Sequence, residues 1–541
     1  MSRRIGSAVN LRRGVQILFL LAFVAVVALA RPVPGVEPSP LLKSWFLIDP
    51  LILIATWLAA HAVPAGAMLA LIVVAFTVVM GRVFCGWVCP LGTVHDVAGR
   101  LLDGRRRDPK RREHWSPWQR TKYYVLIGFL VMAVFGGHWV TIVDPIVLSY
   151  RTTTVALFPG LQWAVEEGAH AAFDSDPGIG PARLTAATEP VYEFFRDHVF
   201  TKPGQAFLGS GLVVAVFVAL VALNAYRRRF WCRYLCPLGA LLGLFARWPL
   251  VRRKTDPEAC NQCDLCAMTC HGAATAAPGD CWKPSECFGC LNCTDACHRD
   301  GLTFQWTLPW RKDPKREGVG LSRRAALGAA AGGVAALALM RATPQARGTR
   351  FHPELIRPPG ARPEPEFLAR CTACGLCMKI CPTGALQPSL TQAGLEGLWT
   401  PRLVPRLGYC DYTCNLCGQV CPTGAIEPLT VKEKQQVKMG LAAFDTTRCI
   451  PYAYGRDCMV CEEHCPIPQK AIYSLDVEVV GRDGAPTTIK VPHVDPDLCI
   501  GCGVCENVCP YRDRPGIRVS SANETRHPKN QPILPLDDLP Y

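Results

Sequence analysis

The 541-residue chain has no C-x-x-C-H haem-attachment motif, no glycine-rich dinucleotide fingerprint and no nucleophile beside a recognisable base. Those absences set aside c-type haem, nicotinamide and hydrolytic chemistry. Cys270-His271 and Cys297-His298 only resemble haem sites, because three residues separate the cysteines before them. Charge is also scarce. Charged residues make up 19 % of the chain against 50 % hydrophobic, and acid is the rarer sign, 44 residues against 58 basic. A basic surplus would suit nucleic acid if it lay on one folded face. Here it falls in short runs beside apolar segments: Arg3, Arg4, Arg12 and Arg13; Arg105 to Arg107 with Lys110 to Arg112; Arg227 to Arg229; Arg252 to Lys254. That pattern predicts a membrane protein with basic cytoplasmic loops and no nucleic-acid partner.

What the chain does have is cysteine, 29 in all. The number is odd and the chain is long, whereas disulfide frameworks belong to small secreted domains. Nearly all the cysteines fall in C-x-x-C-x-x-C-x-x-x-C runs, the ligation pattern of [4Fe–4S] clusters.

Four stretches are apolar enough to span a bilayer: residues 14–30, 65–83, 122–143 and 206–226. The positive-inside rule places 100–112 and 227–254 in the cytoplasm and the more acidic loop 151–202 outside. A fifth stretch, 45–60, reads as interfacial or re-entrant, since a full span there would invert the basic loop. Ala28-Leu29-Ala30 also fits a signal-peptidase site. This half repeats itself. An Asp-Pro pair (Asp49-Pro50, then Asp144-Pro145) precedes a C-x-x-x-C-P-L-G motif (Cys85 and Cys89, then Cys232 and Cys236) in both copies. Two same-direction helical hairpins related by a pseudo-twofold are expected. Asp49 and Asp144 read either as helix caps or as proton-handling acids. The four thiols read as packing groups, or as ligands meeting across the twofold to hold a metal or a further cluster.

The first ferredoxin segment holds Cys260, Cys263, Cys266, Cys270 and Cys287, Cys290, Cys293, Cys297. In a two-cluster ferredoxin three cysteines of one run and the fourth of the other hold each cube. Cys260, Cys263 and Cys266 should therefore pair with Cys297, and Cys287, Cys290 and Cys293 with Cys270. His271 and His298 stand where proline usually follows, and Cys281 is left as a non-ligand. Four further runs follow: Cys371, Cys374, Cys377, Cys381; Cys410, Cys414, Cys417, Cys421; Cys449, Cys458, Cys461, Cys465; and Cys499, Cys502, Cys505, Cys509. The outer two are regular and the inner two irregular, which suggests nested pairing, with sequential pairing the alternative. Between the segments, Ser322-Arg323-Arg324-Ala325-Ala326-Leu327 follows Arg311, Lys312, Lys315 and Arg316 and precedes a weakly apolar stretch, 325–340. It reads as a twin-arginine export signal, or as an Ala-rich linker helix.

In this order of motifs the chain resembles a fusion of two families of the periplasmic nitrate reductase system, NapH-like followed by NapG-like. Its layout is also similar to that of MauN and MauM and of the membrane part of NosR. The fold expected is an α-helical membrane bundle of two repeated hairpins plus α+β ferredoxin-like domains. The parts are 1–254 (four-span domain), 255–305 (cytoplasmic two-cluster domain), 306–350 (signal helix and linker) and 351–541 (periplasmic four-cluster domain). The resemblance implies an inner-membrane protein with about six [4Fe–4S] clusters. It would act as an electron-transfer component of a quinol dehydrogenase, passing electrons from quinol to a periplasmic c-type cytochrome or metalloreductase. Asp49 and Asp144 are the candidate proton acceptors. The other reading is an accessory donor that matures or reactivates a periplasmic metalloenzyme.

Overall fold

The structure, a computed structural model, describes residues 2–33, 36–102, 115–175, 178–179, 182–183, 185–201, 204–274, 282–307, 319–343, 351–480, 484–527 and 529–530. The basic run 105–112, the basic residues 311–316, Cys281 and the C-terminal residues 531–541 lie outside the described residues. The chain packs as two units, each built from separate stretches: 1–29, 41–156 and 210–339 in the first, and 30–40, 157–209 and 340–541 in the second.

The first unit is mainly helical. Its opening helix, Ser2–Leu29, carries an apolar stretch from Ala8 to Leu29, and Arg323–Arg341 forms another. Among the described residues these two helices are long and apolar enough to cross a membrane, with a third if the bent pair Pro40–Leu47 and Pro50–Ala60 is one span. That pair bends by 86°. The bend falls at Asp49-Pro50, where proline fixes φ at the first helical position and Asp49 caps the new helix. The bent pair falls in the stretch 45–60, and its geometry suits either one broken span or a re-entrant segment.

The other expected spans form shorter helices. Residues 65–83 yield Ala67–Met80, 122–143 yield Thr121–Val134, and 206–226 yield Ser210–Ala225. Fourteen residues at 1.5 Å each reach only about 21 Å, short of a hydrocarbon core about 30 Å thick. Glycine sets two of these limits: the chain leaves the helix in the left-handed region at Gly81 (φ 79°) and Gly136 (φ 81°).

Aromatic rings join the opening helix to the repeat. Phe23 lies edge-on to Trp45 and to Tyr150, 5.5 Å between centroids in each case, and Phe46 lies 4.7 Å from Tyr150. Small residues bring another pair of helices close. A Cβ on Gly333 would stand 2.4 Å from the Gly128 carbonyl oxygen, so helix Arg323–Arg341 approaches helix Thr121–Val134 through backbone.

Three cysteine-rich modules share one plan, in which two cysteine runs are closed by antiparallel pairing of the segments that flank them. Val251–Thr255 pairs with Leu302–Trp306 around the first module. Leu441–Phe444 pairs with Ile517–Ser520 around the last. The middle one has a single bridge, Ala361 to Ile426, flanked by Arg362 N–H to the Ala425 carbonyl and Glu427 N–H to the Gly360 carbonyl. In the last two modules a hairpin lies between the runs: Leu386–Pro388 with Pro401–Leu403, and Ile472–Val480 with Pro486–Val494. In the second unit, the described residues between 157 and 201 lie mostly in two helices, Phe158–Ser175 and Thr185–His198.

Candidate electron-transfer sites

The regular cysteine runs share a backbone signature. Positive φ recurs before and after the second cysteine at Gln262 and Asp264, Gly289 and Leu291, Ala373 and Gly375, and Gly501 and Gly503. Such turns present successive N–H groups to an anionic centre. The irregular runs lack the turn after the second cysteine: Asn415 and Met459 follow Cys414 and Cys458 with φ of −133° and −115°.

In the second unit the thiols gather in sequence order, not nested. Cys421 joins Cys371, Cys374 and Cys377, while Cys381 joins Cys410, Cys414 and Cys417. Cys509 neighbours Cys449, and Cys465 joins Cys499 and Cys502. The closing strands account for this, because each bracket encloses consecutive runs. The irregular spacing of the inner runs is local loop geometry and carries no pairing information.

Burial, and then neighbouring thiols, raises these groups. Cys371 is pushed up to about 12, with Cys421 and Cys374 contributing. Cys461 also reaches about 12, with Cys449 and Cys458 contributing. Crowded, desolvated thiols oppose one another's ionisation, and an iron core supplies the positive charge that relieves this. N–H groups already point at sulfur, as from Ala373 to Cys371 (3.4 Å) and from Gly516 to Cys509 (3.3 Å). The donor sets fit [4Fe–4S] clusters.

In the first module Cys270 joins Cys287, Cys290 and Cys293, as the spacing predicts. Cys260 and Cys263 are exposed. The second pocket is sunk against the helices. Arg82 donates to the Ser285 carbonyl (2.9 Å) and Trp87 to the Gly289 carbonyl (3.0 Å). Glu286, 4 % exposed, accepts from Lys122, from Tyr123 Oη (3.1 Å) and from Gln119 (3.3 Å), and lies 3.6 Å from Arg82.

Directly beneath, Cys85, Cys89, Cys232 and Cys236 are all buried and close to one another. Burial raises Cys232 to about 11 in spite of nearby Arg229. Arg82 and Arg229 stand three residues before each thiol pair and reach into the opposite repeat. Arg229 donates to the Cys85 carbonyl (2.8 Å), and Arg82 lies against Gly239. Both guanidinium groups stack on Phe288, 4.8 Å from its ring centre, between Cys287 and Cys290. Thiol set, arginines, ring and cluster pocket are therefore contiguous. Arg82 and Glu286 were not singled out from the sequence, and Arg229 only as part of a basic run, although an R-x-x-C spacing shared by both repeats was there to find.

Asp49 and Asp144 both act as caps. Asp49 accepts from the amides of Leu51 (2.8 Å) and Ile52 (3.4 Å), and Asp144 from those of Ile146 (2.8 Å) and Val147 (3.0 Å). The two carboxyls are close enough across the repeat to influence each other. Both are 0 % exposed. The cap reading is thus met in both, and the same carboxyls lie inside the packing and away from solvent. The second unit instead has a cavity of about 810 Å³ that opens onto Cys414, with Arg31, Glu37, Asp197, Asp411 and Phe200 in its wall.

Comparison with known families fits this geometry. Residues 62–109 and 209–256, which contain the two thiol pairs, each match a family described as a 4Fe-4S binding domain. Further 4Fe-4S binding domains match 257–273 and 284–300, and 491–514, and a 4Fe-4S dicluster domain matches 370–426. The chain is 38 % identical to the methylamine utilization ferredoxin-type protein MauM of Paracoccus denitrificans, over 37 % of this chain and 84 % of that protein. It is 37 % identical to the ferredoxin-type protein NapG of Escherichia coli, over 36 % and 80 %. It is 30 % identical to the ferredoxin-type protein MauN of Methylorubrum extorquens, over 48 % and 74 %. No solved structure matches.

Proposed function

Because the chain belongs to the family of ferredoxin-type iron–sulfur proteins that includes MauM, NapG and MauN, we propose that it is a membrane-anchored carrier of the quinol dehydrogenase kind. The two thiol-bearing repeats form paired hairpins in the inner membrane, with 255–305 inside and 351–541 exported by the twin-arginine helix. Electrons pass from quinol to a periplasmic cytochrome or metalloreductase. The 24 cysteines of the six runs are the cluster ligands, and Cys85, Cys89, Cys232 and Cys236 hold a further metal centre.

The observation that carries this reading is the packing of that thiol set against the Cys270, Cys287, Cys290 and Cys293 pocket through Arg82, Phe288 and Arg229. A redox centre there would couple the helices directly to the ferredoxin module. The cavity at Cys414 offers a small donor or a docked partner access to a second-unit cluster. Asp49 and Asp144, being buried, would relay a proton and not touch quinol.

The exposed Cys260 and Cys263 favour a second reading in one respect, since a cytoplasmic reductant would enter there. Anaerobically purified protein decides between them. Reduction of its clusters by a quinol supports the dehydrogenase, and reduction only by a soluble low-potential donor supports the accessory role. Six clusters give about 24 iron atoms. Cys85→Ser with Cys232→Ser should remove the iron in excess of that number and slow quinol-driven reduction. Iron content and rate equal to wild type in this variant would reject the central thiol site.

A further inference from the structure

A second cavity, of about 250 Å³, lies in the first unit where helix Ser2–Leu29 meets helix Pro90–Leu101 and the first cysteine module. Five arginines line it, Arg12, Arg13, Arg100, Arg228 and Arg229, against only two carboxylates, Asp96 and Asp295. Asp96 is committed. It lies 2.7 Å from Arg229 Nε, 3.4 Å from Arg12 Nη1 and 2.9 Å from His271 Nδ1, and it accepts from Gln16 at 2.8 Å. Burial and Arg229 hold His95 neutral, with a pKa near 4, so it adds no charge.

Donors remain unused in the wall. Arg12 and Arg229 are 0 % and 1 % exposed, yet Arg12 Nε and Arg229 Nη2 have no hydrogen-bond partner, and neither has His95 Nε2. Leaving buried guanidinium donors unsatisfied is costly. Five arginines against two carboxylates around this open-mouthed cavity, with unpaired N–H groups in its wall, call for an anion.

We propose that this cavity binds a phosphate group, as carried on the headgroup of an anionic phospholipid. Arg13 and Arg100 are exposed and stand at its mouth, while Arg12, Arg229 and His95 are buried in its wall. The cavity sits at the charged end of the helix whose apolar stretch begins at Ala8, the level at which lipid phosphates lie. The bound anion ties this helix to the module through Thr269, Asn292 and Ala296. The inference stands apart from the quinol reading and needs no electron transfer.

The test uses delipidated full-length protein with its clusters intact, titrated with phosphatidylglycerol, with phosphatidylcholine and with inorganic phosphate. Binding is read by native mass spectrometry and by thermal shift. Arg13→Gln with Arg100→Gln removes the two exposed mouth charges and spares the buried network. Arg13→Lys with Arg100→Lys keeps the charge.

Phosphatidylglycerol should bind in preference to phosphatidylcholine, about 30-fold more weakly in the double Gln variant and near normally in the double Lys variant. A response to inorganic phosphate alone, lost in the same variant, also supports the site and identifies a free anion as its occupant. Binding of neither, or binding that the double Gln variant leaves unchanged, overturns the proposal.

Discussion

The first cysteine module, between Val251 and Trp306, and the pair of modules beyond Phe351 bury charge in different ways. The first completes its core with groups from outside itself. Glu286 is neutralised by Lys122 and Arg82, and the Cys287–Cys290 loop rests on Arg82, Trp87 and Arg229. In the later modules, Arg357 donates to Glu364 at 2.5 and 3.1 Å, and Arg526 pairs with the same carboxylate and with Glu524. Every partner in that network lies within the second unit. One module is therefore an adapter whose fold depends on the helices, while the others carry their own electrostatic core.

The largest way to break this contrast is Glu286→Ala. It leaves Lys122 and Arg82 buried without their counter-charge, a loss of about 3–5 kcal/mol. The expected outcome is loss of the first module's iron while the spectra of the later clusters persist, read by iron analysis and magnetic resonance. Equal loss from all modules would show that the later ones are not self-sufficient.

The later modules should show their own acid sensitivity. Burial alone would raise Glu364, but Arg357 and Arg526 bring it down to about 2. A carboxyl whose folded pKa lies below its ordinary value near 4.5 stabilises the fold fully above that value. The contribution, about 3 kcal/mol, is lost as the pH falls from there towards 2. Hydrogen exchange across Glu364–Arg370 should rise over that window. Glu364→Gln should flatten the dependence, and an unchanged pH profile in that variant would count against the pair.

A smaller effect is expected where the helix that joins the regions packs on the first unit. Gly333→Ala forces a methyl group to within 2.4 Å of the Gly128 carbonyl oxygen. The helices must separate, costing about 1–3 kcal/mol. Thermal unfolding of the first unit should shift downward, with hydrogen exchange in the later modules unaffected. The smallest effect belongs to an exposed cap. Thr430 accepts from the Glu433 amide, and Glu433 reaches back to the Thr430 amide. Thr430→Ala should cost about 1 kcal/mol and loosen only Val431–Gln436.

The sequence by itself determined the chemistry of this protein and much of its punctuation. Ligand spacing is local, so the six runs, the Asp-Pro helix starts and the repeated thiol pairs are legible from residues a few positions apart. The bend at Asp49 follows from proline's fixed φ, and the grouping of Cys270 with Cys287, Cys290 and Cys293 from run order. Only the tertiary structure decided how the later runs pair, because that depends on strands 441–444 and 517–520 meeting across more than 70 residues. It also decided that Asp49 and Asp144 are sealed, that helices such as Thr121–Val134 stop short, and that Arg82 and Arg229 cross between repeats to grip Phe288. A buried charge is placed by partners that come from distant parts of the chain. The shared R-x-x-C spacing marks Arg82 and Arg229 as a pair but does not show that they lie buried against Phe288.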